Sequence, residues 1–539
     1  MEKNNQLPGL IGPQESTRIL GALQRGASRR DVLAMLTAAG MQAALAGSIA
    51  AAAATAHAQT PRKGGRIKVA GSTAAVSDTL DPAKQSNGTD YVRGFMFYNG
   101  LTCLDGSLTP QPQLAEEFTT KDAKTWVLKL RKGVTFHDGK SLTPQDVIFS
   151  LMRHKNPATG SRAKPLADQI EEVTATGPNE VTIRLTAPNA DLPVILGTYH
   201  FHIVKDGTTD FNAGIGTGPY KVKEFKPGVR AVAVRNDNYW KPNRPYVDEI
   251  EHVGIGEESA RVNGLLAGEL DLVLAIDPRS VSRVTGSSQH AIFETKAGPY
   301  TDLIMRRDSA PGNNADFVQG MKQLFNREQM IKSIMIGHGV VANDHPIHPS
   351  MRFHFKGLKQ RPHDPEKAKW HFQRANLGSA AIPMVVSPVA AGSIEIATIL
   401  QHEARKAGVN FDVRRMPADG YWAQHWMKHP VGFGLIQPRP SVDVMLSLFF
   451  KSDAPQNESG WRNDKFDQLL LAARAETDEA RRAEIYADLQ TMVHDESGIA
   501  IPYFMSSLDG HNRKLRGLSP IPLGGLMGFS FAEQVWLDA

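Results

Sequence analysis

The chain has 539 residues, 41% hydrophobic and 22% charged, with a formal net charge of +5. That length is too great for one ordinary core, so two or three domains are expected, and the composition is that of a soluble globular protein. The small basic excess is spread along the chain without a basic run, which excludes a nucleic-acid footprint.

Residues 1–58 read as an export address. A polar leader ends in Ser28-Arg29-Arg30-Asp31-Val32-Leu33. A weakly apolar, Ala-rich run follows over 32–54, and Ala56-His57-Ala58 closes it as a small-x-small cleavage site. A periplasmic mature chain beginning at Gln59 is expected. The arginine pair resembles the twin-arginine export signal, and a chance pair before an ordinary Sec signal stays open. Ala contributes little to insertion, and Gly, Thr, Ser and Gln interrupt the run, which argues against a retained membrane anchor. No Cys follows the cleavage site, so no lipid anchor is expected. Cys103 is the only cysteine, so no intramolecular disulfide can form. It is expected to be a small buried hydrophobe.

Arg66-Ile67-Lys68-Val69-Ala70 alternates as a strand, followed by the loop Gly71-Ser72-Thr73 and by Leu80-Asp81-Pro82. A helix is expected over 90–99. Trp126, Leu128 and Leu130 alternate with polar neighbours as a half-buried strand. Lys132-Gly133 turns the chain, Val134 and Phe136 alternate again, and Asp138-Gly139 is a turn dipeptide. Thr143 stands at an N-cap with Pro144 at the first helical position. Val147, Ile148, Leu151 and Met152 then form a helical stripe.

These stretches also resemble one family. Trp126 to Leu151 follows W-x-L-x-L-R-x-G-V-x-F-H-D-G-x-x-L-T-x-x-D-V-x-F-S-L, similar to the signature of the bacterial extracellular solute-binding proteins of the peptide/nickel class, family 5. The opening G-G, strand, loop and L-D-P, the Tyr98-Asn99-Gly100-Leu101 step and the segment over 109–118 are similar to the same family. The resemblance implies that the loop at Ser72 and Thr73, and the step at Tyr98 and Asn99, reach a ligand cleft.

Further along, His200 and His202 are two apart, as on one strand face. Satisfied surface or boundary histidines are preferred there to a metal site. Gly216-Thr217-Gly218-Pro219-Tyr220 offers two glycines for positive φ and a proline-fixed turn. Strands carrying Tyr220 and Val222, then Val232 and Val234, should follow. No Lys-Ser/Thr follows the glycines, so they are no phosphate cradle. Their order with Pro227-Gly228 and Arg235-Asn236 again matches the family. A short helix is expected over 261–272, a strand over 300–308 and one long amphipathic helix over 321–338.

Residues 343–363 are loop-rich and carry His345, His348, His354 and His363. A periplasmic metal-assisted hydrolase is the enzyme alternative. However, neither H-E-x-x-H nor G-x-S-x-G occurs, and scattered loop histidines are the preferred reading. Asp364-Pro365-Glu366 opens another capped helix. A strand over 384–386, a helix over 396–407 with Gly408 behind it, and alternating Val409, Phe411 and Val413 form a β-α-β unit. Helices over 463–473 and 484–493 follow, and residues 499–504 are expected to lead the chain back to the first lobe.

The resemblance implies an α/β, two-lobe periplasmic binding protein type II fold with an extra subdomain in the first lobe. Lobe I is expected over 59–305 plus 496–539, with the insert at about 101–206, and lobe II over 306–495. It implies the substrate-binding component of an ABC importer. That component has no catalytic residues, metal or cofactor, is a monomer, and hands a small solute to an inner-membrane permease and its ATPase. A chemosensory binder without a transport role is a further alternative.

In dipeptide-binding relatives, a W-x-x-D-x-x-D-P segment of the second lobe pairs an acid with the peptide's ammonium group. Here the stretch over 434–443 lacks the Trp, and Ser441 stands about where the acid falls. Asp443 lies further along and is retained as a candidate contact. Arg439 sits between two prolines that hold the backbone extended. It either pairs with Asp443 and shapes the loop, or binds an anionic group, with Gln437, Asn457 and Trp461 as neighbouring contacts.

Overall fold

The computed structural model describes residues 61–538, so the leader and its cleavage site lie outside the described residues. The first lobe is built on a mixed sheet. Its central strand Arg66–Gly71 runs parallel to Glu249–Gly254 and to Leu272–Val273. Antiparallel strands extend the sheet on one side through Arg230–Arg235 and Tyr220–Lys226. On the other they extend it through Tyr503–Asn512 and His290–Lys296. A separate four-stranded antiparallel sheet is ordered Ala115–Thr120, Thr125–Leu130, Glu180–Leu185, Ile170–Gly177. It has its own core around Trp126, Leu128, Leu130, Val147 and Leu151. Tyr300–Met305 is the central strand of another sheet, between Val431–Ile436 and Ile499–Ala500. The parallel pair Ile382–Val386 and Phe411–Arg415, joined through the helix Ser393–Lys406, is the expected β-α-β unit.

Local chemistry explains many element ends. The helix Pro144–Met152 starts on a capping box: Asp146 accepts from the Thr143 N–H at 2.8 Å, reciprocating the Thr143 cap. Asp364 caps Pro365–Ala375 by accepting from the Lys367 N–H at 2.9 Å.

Several expectations need correction. The second strand expected at Val134 and Phe136 is a single bridge, Thr135 to Ser141. The tight turn at 137–139 folds the chain back before a ladder can grow. The expected helix over 321–338 is two helices, Ala315–Gln323 and Arg327–Ile334. The side chain of Asn326 accepts from the Gln329 N–H and starts the second helix instead of continuing the first. The helix expected over 261–272 spans Glu258–Leu266, because Gly268 at φ 75° ends it before the strand Leu272–Val273. His200 lies in the short 3-10 turn Tyr199–Phe201, not on a strand. Cys103 is half-buried, and burial pushes its thiol up from the ordinary range.

Gly216 and Gly218 are needed for close approach and not for positive φ. A Cβ on Gly216 would lie 2.1 Å from the Phe97 carbonyl oxygen, and one on Gly218 would lie 2.4 Å from the Phe97 carbonyl carbon. The same loop meets the other long motif at His137. Its ring nitrogens lie 3.2 Å from Gly214 O and 3.1 Å from Gly218 O, and its backbone N–H donates to Gly216 O at 2.9 Å. Burial holds the His137 imidazole below its ordinary range.

Candidate functional site

The chain passes between the sheets twice. The first crossing joins strand His290–Lys296 to Tyr300–Met305, and the second joins Ile499–Ala500 to Tyr503–Asn512. The Met505 N–H donates to Pro299 O at 2.7 Å, so the two crossings are bonded side by side. Along Tyr503–Asn512 the pairing partner switches: Met505 is opposite Gly339, whereas Ser506 is opposite Lys296. Beside the crossings, a pocket between the lobes is lined by Leu108, Gly298, His348, Pro438, Arg439 and Pro522, among others. Leu108, Val194 and Leu523 share one apolar cluster with Tyr300, Met351, Val442 and Met445, so the two sides pack against each other.

Arg439 stands on the loop between strand Val431–Ile436 and helix Val442–Phe449. Pro438 and Pro440 flank it, and Ser441 caps the helix by accepting from the Val444 N–H at 3.2 Å. The Arg439 guanidinium donates only to its own loop, to Gln437 O at 2.9 Å and Pro438 O at 3.2 Å, and lies 5.2 Å from the Phe449 ring centroid. Among the described residues it makes no ion pair. Burial holds it below its ordinary range, and the hydroxyls of Tyr199, Tyr300 and Tyr91 act in the opposite sense. Asp443 is not its partner. The Asp443 carboxylate takes Arg474 Nε at 3.1 Å to both oxygens, in the helix layer behind the loop.

Of the other expected contacts, Gln437 is exposed beside Arg439. Thr73 is exposed and its hydroxyl donates to Asn87, the N-cap of helix Gly88–Phe97, at 2.9 Å; Ser72 next to it is half-buried. Tyr98 is fully buried in the first-lobe core. Asn99 is buried too, its Oδ1 taking the Trp240 indole N–H at 3.0 Å and the Thr217 hydroxyl at 3.2 Å. Asn457 and Trp461 are interior and bonded to each other, Nδ2 to O at 2.7 Å. Thus the structure leaves Arg439, Gln437, Ser72 and Thr73 reachable from solvent, and turns Tyr98, Asn99, Asp443, Asn457 and Trp461 inward.

Sequence reasoning missed two features. One is the aromatic cluster of Tyr91, Tyr199 and Phe529 on the first lobe. Its one sequence signal is the glycine-rich run before Phe529. The other is a buried carboxyl pair, Asp302 and Glu458. Burial pushes Asp302 up to about 7, and burial with the Asp302 charge pushes Glu458 well above its ordinary range. The Trp426 indole N–H donates to Glu458 at 2.6 Å. His345 and His354 stack with centroids 5.7 Å apart, and His348 bonds Ser350 at 2.7 Å. Among the described residues no group of three or more His, Cys, Asp or Glu is arranged to hold a metal ion. No described helix is long and apolar enough to cross a membrane.

Comparison with known proteins agrees with this two-lobe arrangement. The chain is 26% identical to the dipeptide-binding protein of Escherichia coli K12 over 488 residues, covering 83% of this chain and 90% of that protein. It is 25% identical to heme-binding protein A of Haemophilus influenzae over 462 residues, covering 78% and 83%. Among solved structures it matches the ABC transporter substrate-binding protein CtaP of Listeria monocytogenes with a TM-score of 0.78 at 18% identity, over 89% of this chain and all of that one. It also matches AgaA of Agrobacterium tumefaciens, solved with agropinic acid, with a TM-score of 0.70 at 20% identity, over 88% and 99%. These neighbours share the type II periplasmic binding protein fold, so the expected fold class is the observed one. The model of the bacterial extracellular solute-binding proteins, family 5, middle region, matches residues 109–457. Members of that family are binding proteins of transporters, not enzymes. The chain belongs to the bacterial extracellular solute-binding proteins of family 5.

Proposed function

We propose that this substrate-binding component of an ABC importer captures a small organic anion between its lobes and delivers it to an inner-membrane permease and its ATPase. The observation that carries the reading is Arg439: a half-buried guanidinium beside the crossings, with no acidic partner among the described residues. A buried cation without a counter-charge is costly, and a bound carboxylate supplies the missing charge through short, charge-assisted hydrogen bonds. The ligand stabilises the shut arrangement by its differential affinity for it. Gln437, Ser72 and Thr73 are the further proposed contacts.

The reading includes export of a monomer to the periplasm, by the twin-arginine route, with cleavage after Ala58. It takes lobe I over 59–305 plus 496–539, with the insert at about 101–206, and lobe II over 306–495. Calorimetry with a library of dipeptides and tripeptides tests the solute class. We expect nothing tighter than roughly millimolar, about −4 kcal/mol. Micromolar binding of simple dipeptides, unaffected by Arg439→Ala, would overturn the anionic reading.

A further inference from the structure

The first lobe faces Arg439 with a wall of three rings. Tyr91, on helix Gly88–Phe97, stacks on Tyr199 with centroids 3.6 Å apart and planes at 20°. Phe529 meets both edge-on, at 5.4 Å from Tyr91 and 6.1 Å from Tyr199. All three are half-buried, so part of the cluster stays exposed. Tyr199 packs against the apolar cluster that includes Tyr300 and Phe449, and the Arg439 guanidinium lies 5.2 Å from the Phe449 ring centroid, which ties the wall to the guanidinium by way of that cluster.

Phe529 is held there by strained backbone. Leu526, Met527, Gly528 and Phe529 have φ of 51°, 58°, 60° and 75°, a left-handed turn in which three of four residues are not glycine. Left-handed conformations are unfavourable for residues with a Cβ, and such strain persists where the surroundings over-determine it, often at ligand clamps. Here the buried Asp509 carboxylate accepts from the Leu526 N–H at 2.5 Å. The helix bearing Tyr91 also starts on a glycine: a Cβ on Gly88 would lie 3.2 Å from Phe529 Cε1.

We propose that the solute is a planar aromatic or conjugated carboxylate, its flat part against Tyr91, Tyr199 and Phe529 and its carboxylate on Arg439. This rests on the solute-binding reading above and narrows its ligand class. Arg439 spends Nη1 on loop carbonyls. No hydrogen bond within the described protein engages its Nε or Nη2, which leaves the planar edge suited to a bidentate carboxylate. An aromatic wall favours a flat π-system over a saturated ring of the same size through edge and face preferences.

The test uses the mature chain, Gln59 to Ala539, and calorimetry with four probes: benzoate, cyclohexanecarboxylate, benzamide and dialanine. We expect benzoate to bind at least about tenfold tighter than cyclohexanecarboxylate, a difference of about 1.4 kcal/mol, and benzamide and dialanine not to bind. Tyr91→Leu should bring the two carboxylates to equal affinity, and Arg439→Gln should remove both. If Tyr91→Leu fails to fold by circular dichroism, Tyr199→Leu carries the same test. Benzoate binding no better than cyclohexanecarboxylate, a preference that survives loss of the tyrosine, or no benzoate binding up to about 10 mM would each overturn the ligand class. In those cases tight binding of another anion, lost from Arg439→Gln, keeps the anionic reading above, and tight dialanine binding that survives Arg439→Gln removes both.

Discussion

Arg482, on the long helix Glu479–Glu496 of the second lobe, donates from Nη2 to Asp191 Oδ1 of the first at 2.7 Å, with the two side chains 4% and 5% exposed. Next to this pair the Ala190 N–H donates to Arg474 O at 2.8 Å, and Arg474 holds Asp443. The lobes therefore meet through desolvated charge as well as through the apolar cluster.

Removing Arg482 leaves Asp191 buried without its partner, a cost of about 3–5 kcal/mol so long as the lobes stay shut. Opening the cleft rehydrates the carboxylate and escapes that cost. We expect Arg482→Ala to enlarge the radius of gyration seen by X-ray scattering and to weaken ligand binding. Unchanged scattering with a large fall in melting temperature would mean that the pair is a structural contact and not a latch.

The Asp302 and Glu458 pair gives a pH dependence. Burial raises Asp302 to about 7, against about 3.9 in an unfolded chain. The folded state therefore holds more protons than the unfolded state between those values, and stability falls as pH rises through that window. Below about pH 4 the contribution is fully present, and above about 7 it is lost. Asp90, raised to about 6, and Asp509, raised to about 7, act in the same direction. Buried His154, His345 and His348, held below their ordinary range by burial, act in the opposite direction, so the difference between two chains isolates the carboxyl. We expect the melting temperature of Asp302→Asn to gain on that of the unaltered chain as pH rises from 5 to 8. A constant difference across that range would contradict the raised Asp302.

The meeting of the two long motifs is tested at Gly216. A Cβ there meets the Phe97 carbonyl oxygen at 2.1 Å, so backbone has to move. We expect Gly216→Ala to cost about 1–3 kcal/mol or more in urea denaturation, as for overpacked sites. A cost below about 0.5 kcal/mol, the range of neutral surface changes, would contradict the close approach.

Export is tested by replacing Arg29 and Arg30 together with Lys. We expect precursor to accumulate in the cytoplasm, while the unaltered chain yields a periplasmic form beginning at Gln59. Normal export of the double variant would assign the leader to the Sec route.

What was legible in the sequence was mostly local. Thr143, Pro144 and Asp146 announce a helix start because a capping box needs only neighbouring residues. Asp364 and Pro365 do the same. The two-lobe fold came from the motif resemblance, since pairing such as Arg66–Gly71 with Glu249–Gly254 joins segments far apart. The break at Asn326 was hidden because Leu324, Phe325 and Ile331 keep helical spacing across it, and a side-chain cap outcompeted the pattern. Gly216 looked like a turn residue, while its need comes from Phe97, which is remote in sequence. Arg439 was legible from its flanking prolines, yet its lack of an acidic partner depends on Arg474 having claimed Asp443. The wall of Tyr91, Tyr199 and Phe529 comes from three separated segments, and no local pattern unites them.

Native mass spectrometry of the chain purified from the periplasm tests the central claim most directly. The account predicts one bound small molecule per chain carrying an acidic group, and its loss from Arg439→Ala, whose affinity should drop by about 2–5 kcal/mol. A peptide with a free amino terminus, retained unchanged by Arg439→Ala, would contradict it.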